Sequence, residues 1–293
     1  MAVAINRVAG NLEHTLYAAR FAIMEHPLSA DCPSPAAVTY AQEGPLAWIT
    51  LANSARMNAM TSAMWKALPE LIARAEADQQ VRVVILRGTG NKAFSAGADI
   101  SEFGTARTGV AAKSYEALNE AAFQALSKCQ KPTIAMIHGF CMGGGLAIAL
   151  CCDLRIADEA SQFAIPAAKL GIGYNPRWVR PVLAAIPAGR AKEMLFTGQR
   201  FRSSDAAAMG LINRVVAASG LEAGTRALAL EIAANAPLSV MAAKHTIDEI
   251  MRHPEAPDLA ALDRLVEACF ESEDYAEGQR AFLEKRKPVF KGK

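Results

Sequence analysis

Three consecutive glycines, Gly143-Gly144-Gly145, constrain this chain more than any other feature. They separate an apolar strand-like run, Thr133 to Ile137, from an apolar helix-like run, Leu146 to Cys152. Without a Cβ, the backbone N–H groups can approach a ligand closely and take φ/ψ values closed to other residues. At a helix start those N–H groups lack intrahelical partners, and the helix dipole adds positive potential. Such a turn can hold negative charge developing on an oxygen, the physics of an oxyanion hole. The stretch from Thr133 to Cys152 has no Asp, Glu, Lys or Arg and is about long enough to span a bilayer. Four glycines and His138 interrupt it, and Asp153 and Arg155 follow at once. The expectation is therefore a strand, a turn and a buried helix, with no membrane span.

Around this turn the pattern is α/β. Val38 to Leu51 is broken by Gly44-Pro45, which predicts a hairpin. Thr61 is placed to cap a helix with apolar periodicity from Met64 to Ala75. Val81 to Leu86 predicts a buried strand, followed by the small-residue loop Phe94 to Ile100. A helix is expected over Lys113 to Lys128 and strands over Leu154 to Ala157 and Leu211 to Val216. Ser203 or Ser204 is expected to cap Asp205 to Met209, and Leu221 onward to be helical with breaks at Pro237 and Pro254. Strands alternating with helices before a helical tail predict repeated βαβ units. Three segments are delimited: an N-terminal extension at 1–36, a core at 37–230 and a helical region at 231–293. A hydrophobic content of 52% supports a substantial core. The net charge of +2 argues against a nucleic-acid surface, which needs a concentrated basic stripe. Six cysteines without CxxC or metal spacing point to a reducing, cytoplasmic compartment and to no bound metal.

Several segments, in order, carry a resemblance to a known family. They are Arg56-Met57-Asn58-Ala59-Met60, Ala93 to Ile100, Lys131-Pro132 through Gly145, Cys152 to Ala157, Lys169-Leu170-Gly171, Gly210 to Val216 and the tail Ser272 to Gly278 with Lys285-Arg286-Lys287-Pro288. Together they resemble the crotonase (enoyl-CoA hydratase/isomerase) superfamily over roughly residues 38 to 293. The resemblance implies a crotonase-type spiral of βαβ turns, with C-terminal helices mediating a homotrimer or a dimer of trimers. It implies an acyl-CoA thioester as substrate, no separate cofactor, and two backbone N–H groups that bind the thioester oxygen and stabilise an enolate-like anion. Those donors fall on Ala98 and Gly144, with Gly143 beside them. Ala96 and Ile100 match positions flanking the adenine, Asp99 lies in the same substrate-binding loop, and Arg56 lies where relatives approach the CoA phosphates.

The same resemblance exposes a gap. The hydratases of this superfamily use two glutamates, and the matching positions here are Ala147 and Ala167. Neither can transfer a proton. Tyr174 falls where the similar methylmalonyl-CoA decarboxylases carry a tyrosine, and decarboxylation needs no strong base. A decarboxylase of a small malonyl-type CoA and a non-catalytic acyl-CoA-binding protein therefore stand as alternatives to a hydratase/isomerase-like enzyme. Among weaker candidates, Glu116 and Glu120 are expected on a solvated helix face, and Arg177 is expected to pair with a substrate carboxylate or to lie exposed. Asn175 is read as no adequate base, and His138 as a hydrogen-bonded core residue. Asp99 is expected to fix its own loop through local hydrogen bonds.

Overall fold

The computed structural model describes residues 36–102 and 109–293, and residues 35–293 form one unit. The N-terminal extension lies outside the described residues. The chain opens with the hairpin β1 (Ala37–Glu43) and β2 (Leu46–Ala52), turning at Gly44-Pro45. Helix α1 (Ser62–Ala77) follows, with the Thr61 Oγ1 accepting the Met64 N–H as its cap at 3.3 Å. Strand β3 (Val83–Gly88) leads to the short β4 (Ala93–Ser95), then to α2 (Gly109–Ser127). The glycine segment lies between β5 (Thr133–Ile137), β6 (Phe140–Met142) and α3 (Gly144–Leu150). After it come β7 (Leu154–Asp158), β8 (Gln162–Ala164), α4 (Pro176–Ala185), α5 (Ala188–Thr197), β9 (Phe201–Arg202), α6 (Ser203–Ala208) and β10 (Arg214–Val216). Four helices end the chain: α7 (Leu221–Ala233), α8 (Pro237–Arg252), α9 (Leu259–Phe270) and α10 (Glu273–Leu283).

The strands form two sheets, in the orders β1-β2-β3-β5-β7-β10 and β4-β6-β8-β9. Beyond the antiparallel β1–β2 hairpin the larger sheet is parallel throughout. Each turn of the chain thus lays one strand in the large sheet, one in the small sheet and then a helix, a spiral of the crotonase type. A parallel sheet is covered on both faces, and the residue alternation shows it. Ala47, Ile49, Leu51, Val84, Leu86, Ala135 and Ile137 join the core under α1, α2 and α3. Their neighbours Leu46, Trp48, Val83, Ile85, Ile134 and Met136 join a second core under α7. Helix α7 crosses residue 230, and the last strand ends at Val216.

Three expectations need correction. Neither Ser203 nor Ser204 caps α6. Ser203 is the first helical residue, and its hydroxyl donates to the buried carbonyls of Asp158 and Ser161 at 2.5 and 3.2 Å, so it ties the helix to β7 and β8. The strand expected from Leu211 shortens to Arg214–Val216, because the Leu211 carbonyl is taken by the Arg155 guanidinium. Helix α4 was not anticipated. Pro176 starts it, a position that suits proline, but Pro181 lies within its ten residues and argues against a helix unless tertiary packing overrides it. No helix among the described residues is long and apolar enough to cross a membrane.

Candidate active site

The small sheet builds the site. Parallel pairing of β4 with β6, Ala93 opposite Phe140 and Ser95 opposite Cys141, places the chain after each strand side by side. Those continuations are Ala96–Ile100 and the glycine turn. Asn58 braces the first: its buried carboxamide donates to the Ala93 and Thr89 carbonyls at 2.7 and 2.9 Å. Its own carbonyl accepts the Ser95 hydroxyl at 2.8 Å. Ser95 Oγ in turn accepts the Gly97 N–H at 3.1 Å. This explains the Arg56–Met60 motif as a scaffold for the loop.

Met60 sets the direction of the Ala98 amide. Its N–H donates to Gly97 O at 2.7 Å, and its carbonyl accepts Asp99 N–H at 3.0 Å. That is a parallel bridge between Met60 and Ala98. In such a bridge the middle residue turns its own N–H to the opposite side. Gly143 does the same for its successor. At φ 51°, ψ −118° it holds a conformation open only to glycine, anchored by its N–H on Ala164 O at 2.8 Å. Among the described residues no hydrogen bond engages the Ala98 or Gly144 amide. A Cβ built on Gly144 would stand 3.5 Å from Ala98 N, and one on Gly97 would stand 3.0 Å from Gly144 N. The two amides are therefore neighbours. Helix α3 has only seven residues, so the orientation of the amides matters more here than a macrodipole.

The other expected site residues are distributed around this pair. Ala96 is half-buried with its N–H on Met57 O, and Ile100 is 64% exposed at the start of a 3-10 turn. Asp99 is buried and accepts Ser101 N–H, the Ser101 hydroxyl and the Arg56 guanidinium at 3.0, 2.7 and 2.9 Å. Burial would raise its carboxyl, but the Ser101 and Arg56 bonds outweigh that and hold it below the usual carboxylate range. Asp99 thus fixes its own loop by local bonds. Arg56, half-exposed, closes the loop with Asp99 and Ser101.

Behind the glycine turn stands an aromatic series that the sequence did not announce. Trp65 of α1 is fully buried, with Cζ2 3.2 Å from a Cβ built on Gly144. Its ring meets Phe123 edge-on at 5.4 Å, Phe123 meets Trp178 at 5.4 Å, and Trp178 meets Tyr174 at 5.9 Å. The Trp65 Nε1–H donates to the Tyr115 hydroxyl at 3.0 Å. Tyr174 is not a rim residue with a solvent-facing hydroxyl. The residue is half-buried, but its Oη is enclosed and has no hydrogen-bond partner among the described residues. Burial, with a smaller effect of the nearby Cys151, pushes this phenol above the usual tyrosine range, so it is a proton-bearing donor.

Ala147 is 5% exposed on α3, one turn before Cys151, and Ala167 packs half-buried against the same core. Asn175 is spent as the α4 cap, its Oδ1 accepting Arg177 N–H at 3.0 Å, and Arg177 is exposed. Glu116 is exposed. Glu120 is half-buried, accepts Gln124 Nε2–H at 2.8 Å, and its charge is felt by the Cys151 thiol. His138 is a buried core residue hydrogen-bonded to the Ala93 backbone, with Nε2 unpaired among the described residues, and desolvation lowers its pKa. Burial also raises the Cys141 thiol far above its usual range, which disqualifies it as a nucleophile. A signal for the aromatic series did exist: Tyr115, Asn119 and Phe123 recur every four residues on α2. Their meeting with Trp65 and Trp178 is a long-range contact, which periodicity does not encode.

A family model described as Enoyl-CoA hydratase/isomerase matches residues 41–293. The chain belongs to the enoyl-CoA hydratase/isomerase family. The short-chain-enoyl-CoA hydratase of Clostridium acetobutylicum is 35% identical over 246 residues, 84% of this chain and 94% of that protein. The carnitinyl-CoA dehydratase of Salmonella enteritidis is 33% identical over 257 residues, covering 86% and 97%. Among solved structures, an enoyl-CoA hydratase/carnithine racemase from Magnetospirillum magneticum superposes with a TM-score of 0.84 at 37% identity, covering 87% of this chain and 96% of that one. Within this enoyl-CoA hydratase/isomerase family the chain is an acyl-CoA-processing enzyme.

Proposed function

We propose that this enzyme binds an acyl-CoA thioester with its carbonyl oxygen on the Ala98 and Gly144 amides and stabilises the enolate that forms there. The observation that carries it is the adjacency of two unpaired amides, each turned by its own backbone device. As electrons move from the α-carbon into the thioester, charge gathers on that oxygen, and fixed donors in a dry site stabilise it without reorganising. No cofactor is required, since the CoA thioester is itself the substrate. Ala147 and Ala167 supply no proton transfer, so the ordinary two-carboxylate hydration is not the reaction proposed. Incubation with crotonyl-CoA and methylmalonyl-CoA, followed by enoyl absorbance and released CO₂, tests the reaction class. No turnover on a broad thioester panel despite tight binding would leave a silent acyl-CoA binder instead.

Decarboxylation of a small malonyl-type CoA is the second reading, favoured by the enclosed, unpaired Tyr174 hydroxyl among apolar side chains. The bond from the α-carbon to the carboxylate breaks, its electron pair enters the enolate, CO₂ leaves, and water returns a proton to the α-carbon. A carboxylate removed from water is poorly solvated, which favours its loss as neutral CO₂. Tyr174→Phe keeps the ring and removes only the hydroxyl. On this reading it lowers CO₂ release by about 10- to 100-fold, the worth of a bond to a charged group, with melting temperature unchanged. Full CO₂ release by the variant would remove Tyr174 from the mechanism.

The C-terminal helices are read as the contact between copies. An apolar groove of about 870 Å³ lies among α8, α9 and α10. Phe282 and Leu283 are 84% and 81% exposed, and Ile247 63%, large apolar side chains that a docked neighbour would cover. Light scattering is expected to give the mass of a trimer or of two trimers, and Phe282→Asp with Leu283→Asp to release smaller species. A monomeric wild-type protein at micromolar concentration would refute this. The five described cysteines are all unpaired, in keeping with a reducing cytoplasm.

A further inference from the structure

Seven buried side-chain polar atoms lack a hydrogen-bond partner among the described residues, and three of them fall in one cluster around the aromatic series. They are Tyr174 Oη, Trp178 Nε1 and Asn119 Nδ2. The remaining four are scattered over β1, β2, the β5–β6 turn and α7. Asn119 is only 2% exposed. It lies one helical turn from Tyr115 and one from Phe123, on the α2 face that meets Trp65 and Trp178. Buried donors normally find an acceptor, and a cluster that does not calls for one from outside the chain.

The arrangement is graded. Beside the oxyanion amides the series is satisfied, with Trp65 Nε1–H bonded to Tyr115. At its far end, past Phe123, stand the unsatisfied Trp178 and Tyr174. An indole Nε1–H is a donor only, so its missing partner is an acceptor. Among the described residues no ion pair or hydrogen bond brings a cation to these three atoms, and Arg177, beside Trp178 in sequence, is exposed. An enclosed carboxylate without a counter-charge is disfavoured, whereas a neutral oxygen needs only the donors.

We propose that the aromatic series, closed by Asn119, Trp178 and Tyr174, is a distal acyl subsite selecting acyl groups with a neutral hydrogen-bond-accepting oxygen, a ketone or hydroxyl, beyond the α-carbon. This rests on the leading reading that the thioester lies on Ala98 and Gly144. A plain hydrocarbon acyl chain placed against this end would leave the donors buried and unpaired, so it is rejected.

The test is calorimetric binding of acetyl-CoA, pentanoyl-CoA, 4-oxopentanoyl-CoA and succinyl-CoA to the full-length protein. The expected result is 4-oxopentanoyl-CoA binding about tenfold or more tighter than pentanoyl-CoA. In the double variant Asn119→Leu with Trp178→Phe, apolar replacements that remove both donors, that ratio falls to about one while acetyl-CoA binding is retained. The single Trp178→Phe variant, with an intermediate ratio, serves if the double variant does not fold. Equal binding of the two five-carbon thioesters, or a ratio that survives the substitutions, overturns the subsite. A preference for succinyl-CoA over both overturns it in favour of carboxylate recognition. If no thioester binds, acetyl-CoA included, the thioester reading falls and the subsite with it.

Discussion

Replacing Gly144 by proline is expected to lower turnover of the cognate thioester by about 10²- to 10³-fold, equivalent to roughly 2.7–4 kcal/mol of transition-state stabilisation. Proline replaces the N–H by a ring methylene, so it removes the donor and also fills the place that the thioester oxygen would take. It is tolerated at the first position of a helix, which is where Gly144 stands. Gly144→Ala is the control. It retains the N–H but sets a Cβ 3.2 Å from Trp65 Cζ2, so its loss measures the crowding against Trp65. The proline variant should lose far more than the alanine variant, with far-ultraviolet dichroism and melting temperature showing both folded. Equal activity in a folded proline variant would place the thioester oxygen elsewhere.

Arg155→Met is expected to be the most destabilising side-chain change near the site, at about 3 kcal/mol, because charge-assisted bonds to buried carbonyls are lost together. Arg155 is 8% exposed. Its guanidinium donates to Leu211 O at 2.7 Å, Cys152 O at 2.8 Å and, at the limit, Ala149 O at 3.5 Å. It therefore closes the C-terminal end of α3 and ties it to the segment before β10. Methionine fills the space and leaves those acceptors unpaired. For a chain of this size the melting temperature should fall by roughly 6–12 °C. Lysine, a single ammonium in place of a planar fork, should recover only part of the loss. A fall within about 2 °C for methionine would mean that water replaces the guanidinium.

Much of this architecture was legible in the residues. The hairpin at Gly44-Pro45, the Thr61 cap and the strands from Val83 and Leu154 follow from turn chemistry and periodicity, which are local. The glycine turn announced its backbone purpose because Gly143 adopts angles that few residues can. What stayed hidden is what depends on distance along the chain. The three-residue strands β4, β6 and β8 are too short to leave a pattern, yet they bring Ala98 to Gly144. Helix α4 forms despite the internal Pro181 because packing overrides propensity. Tyr174 could be picked out by resemblance, but its enclosure depends on Trp178 and Phe123, which arrive from other elements. The unpaired state of Asn119 likewise belongs to no local motif.

The bridge at Met60 and the left-handed Gly143 have a consequence for descent. Every residue except proline carries the N–H that these devices aim, so on the proposed reading the anion-holding role survives almost any substitution at Ala98 that spares the fold. Positions 147 and 167 have no such protection, since one change of side chain there removes a proton donor outright. Inheritance within such a lineage is therefore uneven. The capacity to hold an enolate passes on with the backbone, while the fate of that enolate is open to revision one side chain at a time.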